Sequence, residues 1–223
     1  MEGRPAHRDP WPWVGLGCAL AFAVLAALVV GGAIVPLDAS LTAAVQGLPV
    51  PTWLWVACTE LGGDVRAPIG IALVLGAVLS RRFRLALILA VILVVATLFT
   101  DLVKDAVARP RPPGEALVPA TGYSFPSGHA LGSAVTYGLI ALVAWRSRVS
   151  SGVRRAAAIA GVTIPLLVGL SRVALGVHYP TDVLGGWLAG TAFIALAALA
   201  IGLTGAMSRD RPRRATEAPA AGP

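Results

Sequence analysis

Charge is what this sequence has least of. Asp, Glu, Lys and Arg together make 13% of its 223 residues, while hydrophobic side chains make 57%. Soluble domains carry about 25% charged and about 45–50% apolar residues. A single small core cannot hide that much apolar surface from water, which excludes an ordinary soluble domain. Lysine is nearly absent, with Lys104 the only one, so arginine supplies almost all the positive charge. Together with abundant Ala, Gly and Pro, that bias fits a GC-rich bacterial gene. The formal net charge is +7, yet no basic stretch is interleaved with aromatics, so no nucleic-acid partner is expected. Cysteine is equally scarce. Cys18 and Cys58 both sit in apolar stretches and read as small buried hydrophobes rather than a disulfide or a metal pair.

What is present is a series of apolar runs. The first, Val14 to Val35, reaches about 33 Å as a helix, enough to cross a bilayer. No A-x-A cleavage site precedes a mature soluble domain, so the run reads as an anchor rather than a signal peptide. The second span is expected to begin near Trp53, since Ala67 to Leu79 is too short alone, and it then contains Glu60, Asp64 and Arg66. Ionisable groups at that depth are costly unless they face protein or water. Further spans are read at Leu85–Val103, Ser127–Trp145, Ala156–Ala174 with a kink at Pro165, and Val183–Leu203. In the last of these, Gly186 and Gly190 allow close helix packing.

The expected fold is therefore an all-α polytopic membrane protein of six transmembrane helices. Residues 13–205 form the membrane domain, between a cytoplasmic segment 1–12 and a basic, disordered cytoplasmic tail 206–223. Arg4 and Arg8, then Arg81, Arg82 and Arg84, then Arg146, Arg148, Arg154 and Arg155, and finally Arg209, Arg211, Arg213 and Arg214 fall in segments that alternate onto one side. The positive-inside rule makes that side, and both termini, cytoplasmic. Lys104, Arg109, Arg111 and Arg172 then lie on the outer side, against the topological bias, and ask for another explanation.

Three polar clusters supply it: Lys104-x6-Arg111-Pro112, then Pro126-Ser127-Gly128-His129, then Ser171-Arg172-x5-His178-x3-Asp182. Lys104, Arg111 and Arg172 can neutralise an oxyanion, the arginines through forked hydrogen bonds. Ser127 and Gly128 open a helix, whose free N–H groups and dipole favour an anion. Two histidines offer one nucleophile and one general acid. Asp182, four residues after His178, can accept a hydrogen bond from the imidazole and set its tautomer. Taken singly, each residue has an ordinary reading: Lys104 and Arg109 snorkel, Ser127 caps a helix, Arg172 and Asp182 pair. Their convergence on one side points instead to a phosphoryl group.

The three clusters resemble the signature of the type 2 phosphatidic acid phosphatase family, which shares its site with the vanadium haloperoxidases. Every specified position of K-x6-R-P, P-S-G-H and S-R-x5-H-x3-D is matched, and the resemblance covers nearly the whole chain. It implies that His178 forms a phosphohistidine, that Asp182 orients it, and that His129 protonates the leaving alkoxide and then activates water. It implies that Lys104, Arg111, Ser127, Gly128 and Arg172 hold the phosphate oxygens, with no metal and no cofactor. The function so implied is hydrolysis of a phospholipid or polyprenyl phosphate: phosphatidic acid, phosphatidylglycerol phosphate or undecaprenyl diphosphate. The setting is a multi-pass protein of the bacterial inner membrane, in contact with the lipid bilayer, with its site facing the extracytoplasmic side. Transfer of phosphate to another lipid, or a non-catalytic relative, is the alternative. A Ser127–His178–Asp182 hydrolase is disfavoured because no G-x-S-x-G turn is present and the cations would be idle. A metal on His129, His178 and Asp182 is disfavoured because the same cations would repel it.

Overall fold

In a computed structural model the residues described are 9–207, and among them are eight helices and no strand. These are α1 (Trp11–Val30), α2 (Val35–Gln46), α3 (Thr52–Glu60), α4 (Arg66–Leu79), α5 (Phe83–Val107), α6 (Gly128–Arg146), α7 (Ser151–Ala174) and α8 (Pro180–Thr204). Most of the expected N-terminal segment and nearly all of the basic tail, with Arg4, Arg8 and the arginines after 208, lie outside the described residues.

Five helices, α1, α5, α6, α7 and α8, are long and apolar enough to cross a membrane. Their surfaces are arranged for lipid. On α5, Leu85, Leu89, Ile92 and Ala96 are buried at helical spacing, whereas Leu87, Val91, Val94 and Leu98 on the other face are exposed. On α1, Leu16, Leu20 and Val24 are exposed in the same way. Exposed apolar bands of this extent mark contact with a membrane rather than water.

The second expected span differs from its sequence reading. It is not one helix from Trp53. It is α3, then a turn through residues 61–65, then α4, and α4 alone is only 14 residues long. That is about 21 Å, short of the roughly 30 Å hydrocarbon core. The break lies where the chain passes close to α6. Gly62 and Gly63 lie against His129 of α6, where a Cβ at 63 would stand 3.3 Å from His129 Nε2. Irregular backbone at membrane depth is tolerated where it lines a cavity, and a cavity of about 420 Å³ opens here. Glu60 ends α3, Asp64 stands in the turn and Arg66 begins α4, so the polar residues cluster at the break. The α2 helix has no counterpart in the apolar runs, being short and interrupted by Asp38, Ser40 and Thr42.

The core sits in the seam of α5, α6 and α8, where Leu85, Leu89, Leu131, Val135, Leu139 and Ile201 pack together. The close approach expected at Gly186 and Gly190 is present. A Cβ on Gly186 would lie 2.7 Å from Ser127 O, and one on Gly190 2.7 Å from Ala134 Cβ. Pro165 lies inside α7, which continues to Ala174, and its carbonyl accepts a hydrogen bond from Trp187 Nε1 of α8 at 3.1 Å. Cys18 and Cys58 are free and half-buried rather than buried.

Candidate active site

The C-terminal ends of α5 and α7 and the N-terminal ends of α6 and α8 meet at one end of the bundle, and every predicted site residue lies there. The α7–α8 connection is short because Pro180 opens α8 immediately after His178 and Tyr179. The N–H groups of Val177 and His178 fold back onto Arg172 O at 3.2 Å, so the loop carrying His178 is pinned to the end of α7. Ser127 N donates to Asp182 O at 2.9 Å, which ties the start of α6 to the first turn of α8.

His178 is 2% exposed and its two ring nitrogens face different partners. Nδ1 lies 3.4 Å from Asp182 Oδ2, and Nε2 lies 3.4 Å from Nη1 of Arg111. Burial, reinforced by the Arg172 and Arg111 charges, pushes the imidazole down to about 4, although Asp182 acts in the opposite sense. The ring is therefore neutral at physiological pH. With its proton on Nδ1 toward Asp182, the Nε2 lone pair is left facing the cations, which suits a nucleophile.

Asp182 is fully buried and does three things. Oδ2 accepts from Tyr179 N at 2.9 Å, closing the first turn of α8 in the manner of a capping acid. The same oxygen faces His178 Nδ1, and Oδ1 accepts from Arg109 Nη1 at 2.6 Å. Arg109 lies just inside the first motif. Its guanidinium also donates to Thr181 Oγ1 at 2.9 Å and to Asp38 Oδ2 at 2.6 Å, and lies 4.0 Å over the Tyr179 ring. Burial alone would lower its pKa, but Asp182 and Asp38 outweigh burial and raise it, so it stays a fixed cation.

Asp38 is the residue that sequence reasoning missed. It stands in the first turn of α2, is 0% exposed, and accepts from Thr181 N at 3.0 Å, Thr181 Oγ1 at 2.6 Å and Arg109. A signal existed: Asp38 is the only charged residue between Asp9 and Glu60, in an otherwise apolar stretch. A lone carboxylate there must be paired to be tolerated. Thr59 was also missed. Its hydroxyl accepts from Arg172 Nη1 at 2.8 Å, so α3 orients that guanidinium.

The remaining cations converge on the same space. Arg111 is held by three loop carbonyls, Val177 O at 2.7 Å, Thr121 O at 2.6 Å and Gly122 O at 3.0 Å, which leave its Nη1 edge beside His178. Arg172 is 4% exposed, and its Nε is buried without a hydrogen-bond partner, an open donor in a cationic site. Ser127 caps α6 by accepting from Ala130 N at 3.5 Å, which engages it with the helix rather than with His178. A Cβ built on Gly128 would lie 4.0 Å from Lys104 Nζ, so the start of α6 stands beside the lysine. His129 shares the 420 Å³ cavity with Lys104, Gly128 and Arg66. Among the described residues, no group of three or more His, Cys, Asp and Glu side chains is placed to hold a metal.

Cations, a helix N-terminus and a buried Asp–His pair, at the end of a bundle of lipid-facing helices, define a class: multi-pass membrane proteins with a cationic, histidine-bearing site at one end of the bundle. The comparison with known proteins makes the class specific. The PAP2 superfamily model matches residues 85–206, and this chain belongs to that family. Phosphatidylglycerophosphatase B of Bacillus subtilis (strain 168) is 34% identical over 177 residues, covering 77% of this chain and 86% of the relative. An undecaprenyl-diphosphatase of Sulfolobus acidocaldarius is 33% identical over 120 residues, 51% of this chain and 54% of the relative. The crystal structure of a transmembrane PAP2-type phosphatidylglycerolphosphate phosphatase from Bacillus subtilis superimposes with a TM-score of 0.77 at 29% identity. That match covers 89% of this chain and 100% of the other. The relatives are phosphatases of membrane lipids, and the protein is a multi-pass membrane protein.

Proposed function

We propose that this protein is a metal-independent lipid phosphatase that carries phosphate on His178. The reading rests above all on the two-sided environment of that imidazole: Nδ1 against Asp182, Nε2 against Arg111. Phosphate oxygens placed among Lys104, Arg111, Arg172 and the amides at Ser127–Gly128 put phosphorus in front of Nε2. As the N–P bond forms, the P–O bond to the lipid breaks, and His129 delivers a proton to the departing oxygen. His129 then takes a proton from water, whose oxygen attacks phosphorus, breaks the N–P bond and releases inorganic phosphate. The cations supply most of the acceleration by stabilising charge on the transferring group.

Substrates in this reading are lipid phosphomonoesters and diphosphates: phosphatidic acid, phosphatidylglycerol phosphate and undecaprenyl diphosphate. Counting α3 and α4 together as one broken span gives six spans in residues 13–205. Arg81, Arg82 and Arg84 and the cluster Arg146–Arg155 lie at the end opposite the site. The positive-inside rule then puts both termini, with segments 1–12 and 206–223, in the cytoplasm and the site on the outer face of a bacterial inner membrane.

The test is phosphate release by the purified protein in detergent with EDTA, from each of the three lipids. Wild type is expected to turn over with EDTA present, and His178→Ala to be inactive while retaining its fold. Multiple turnover by folded His178→Ala refutes the phosphohistidine. Appearance of phosphate on a lipid alcohol rather than in water would make the protein a phosphotransferase.

A further inference from the structure

One cation at this end of the bundle is left unused by the chemistry above. Arg66 opens α4 and reaches across to α6, where its guanidinium lies flat on Gly132. A Cβ at 132 would stand 2.6 Å from Nη1, 2.7 Å from Cζ and 2.8 Å from Nε. Among the described residues the Arg66 side chain makes no hydrogen bond or ion pair, and its Nε is buried without a partner. Thr136 Oγ1 is in the same condition. His129, Gly132 and Thr136 follow one face of α6, so the guanidinium sits about one helical turn, roughly 5 Å, deeper than the imidazole.

Two cavities meet at it, with Arg66, Ala67, Leu93 and Thr97 lining both. The 420 Å³ cavity runs from Lys104, Gly128 and His129 to Arg66. A second cavity of about 320 Å³ begins at Arg66 and Thr136 and is walled by apolar residues such as Ile71, Val94 and Leu98. Those three are exposed on the lipid-facing surface. The path therefore reads phosphate site, proton donor, arginine, hydrocarbon. A charge held at this depth without a partner is unfavourable unless a ligand supplies one. The departing oxygen must lie within reach of His129, so the leaving group occupies this path.

We propose that Arg66 binds a second phosphate, one carried by the leaving group itself. The favoured substrate is then a lipid with two phosphates, either a diphosphate or a phosphomonoester joined through a linker to a phosphodiester. A lipid such as phosphatidic acid, whose leaving group is a neutral alcohol, presents nothing to Arg66. The inference rests on the proposed function, because it takes His129 as the group that protonates the leaving oxygen. Arg66 makes specificity in this scheme, and the bonds that form and break are unchanged by it.

The test uses the full-length protein in detergent with farnesyl diphosphate and farnesyl phosphate, which differ only in the second phosphate. The readout is the ratio of their kcat/KM values. Arg66→Gln is expected to lower that ratio tenfold or more, as loss of a charge-assisted hydrogen bond requires, and Arg66→Lys to restore part of it. Gly132→Ala, which displaces the guanidinium without removing it, is expected to lower the ratio in the same direction and decides the matter if Arg66→Gln does not fold. An unchanged ratio in these variants, with wild type active, overturns the role of Arg66 and leaves the phosphatase reading intact. A wild type silent on both lipids overturns the two together.

Discussion

Replacing Asp38 by asparagine removes one negative charge from a point where three donors converge. Oδ2 accepts from Arg109 Nη2 and Thr181 Oγ1, both at 2.6 Å, and Oδ1 accepts from Thr181 N at 3.0 Å. An asparagine of the same size keeps one oxygen and turns an NH2 toward at least one of those donors. Hydrogen bonds to charged groups are worth about 1.5–3 kcal/mol, and breaking a buried pair costs about 3–5 kcal/mol. Arg109 keeps its second carboxylate, Asp182, so a loss of about 2–3 kcal/mol is expected. For a chain of this size that lowers the melting temperature by about 4–12 °C. Catalysis should suffer as well. With Asp38 neutral, Arg109 draws on Asp182 alone, and Asp182 holds the His178 Nδ1 proton less firmly. A fall in kcat of about tenfold corresponds to about 1.4 kcal/mol of that lost hold. The assay is thermal unfolding in detergent micelles beside phosphate release at saturating lipid. A melting temperature within 1 °C of wild type together with an unchanged kcat would refute the chain Asp38–Arg109–Asp182–His178 as a working unit.

Three further outcomes are expected. The His178 ring should titrate near 4, against an ordinary value of 6.5, in ¹⁵N spectra of histidine-labelled protein with His178→Asn used for assignment. Because the folded value is depressed, this group's contribution to stability is intact above pH 6.5 and lost as pH falls through about 4; titration near 6.5 would contradict the buried placement. Arg111→Lys cannot satisfy Val177 O, Thr121 O and Gly122 O at once, so kcat/KM should fall about a hundredfold, and a change below threefold would show that the fork is not needed. Gly186→Ala sets a Cβ against backbone of Ser127 and Leu131, which should cost about 1–3 kcal/mol of stability and loosen the site. Gly76→Ala, with open space around it, should not destabilise, and equal behaviour of the two would refute the close α6–α8 contact.

The legible part of this protein was the part written in local pattern. Long apolar runs foretold α1, α5, α6, α7 and α8 to within a few residues, because a helix in lipid must satisfy its own backbone within one continuous segment. The His178, Asp182, Arg172, Ser127, Gly128, His129, Lys104 and Arg111 set was legible as a group because each lies at a helix end or in the loop beside one, where chain order and topology already bring them to one side. The break between α3 and α4 was not. A hydropathy run records how apolar a stretch is, and cannot show that Gly62 and Gly63 lie against His129 where the helix breaks.

Asp38 and Arg109 mark the same boundary more sharply. Their residue types and positions were in plain view, and Arg109 stood inside the span of a recognised motif. Yet their meeting joins α2 to the loop after α5 and to the start of α8, a contact between segments far apart in the chain. Sequence alone determined that this is an all-helical membrane protein with cations and histidines gathered at helix ends on one side, because spacing and composition act locally. Only the tertiary structure decided which carboxylate steadies which cation, which nitrogen of His178 faces Asp182 and which faces Arg111, and that the Arg66 guanidinium lies on Gly132 with its Nε unpartnered. Those are consequences of packing, in which partners are chosen by distance in space and by the cost of leaving a buried charge alone.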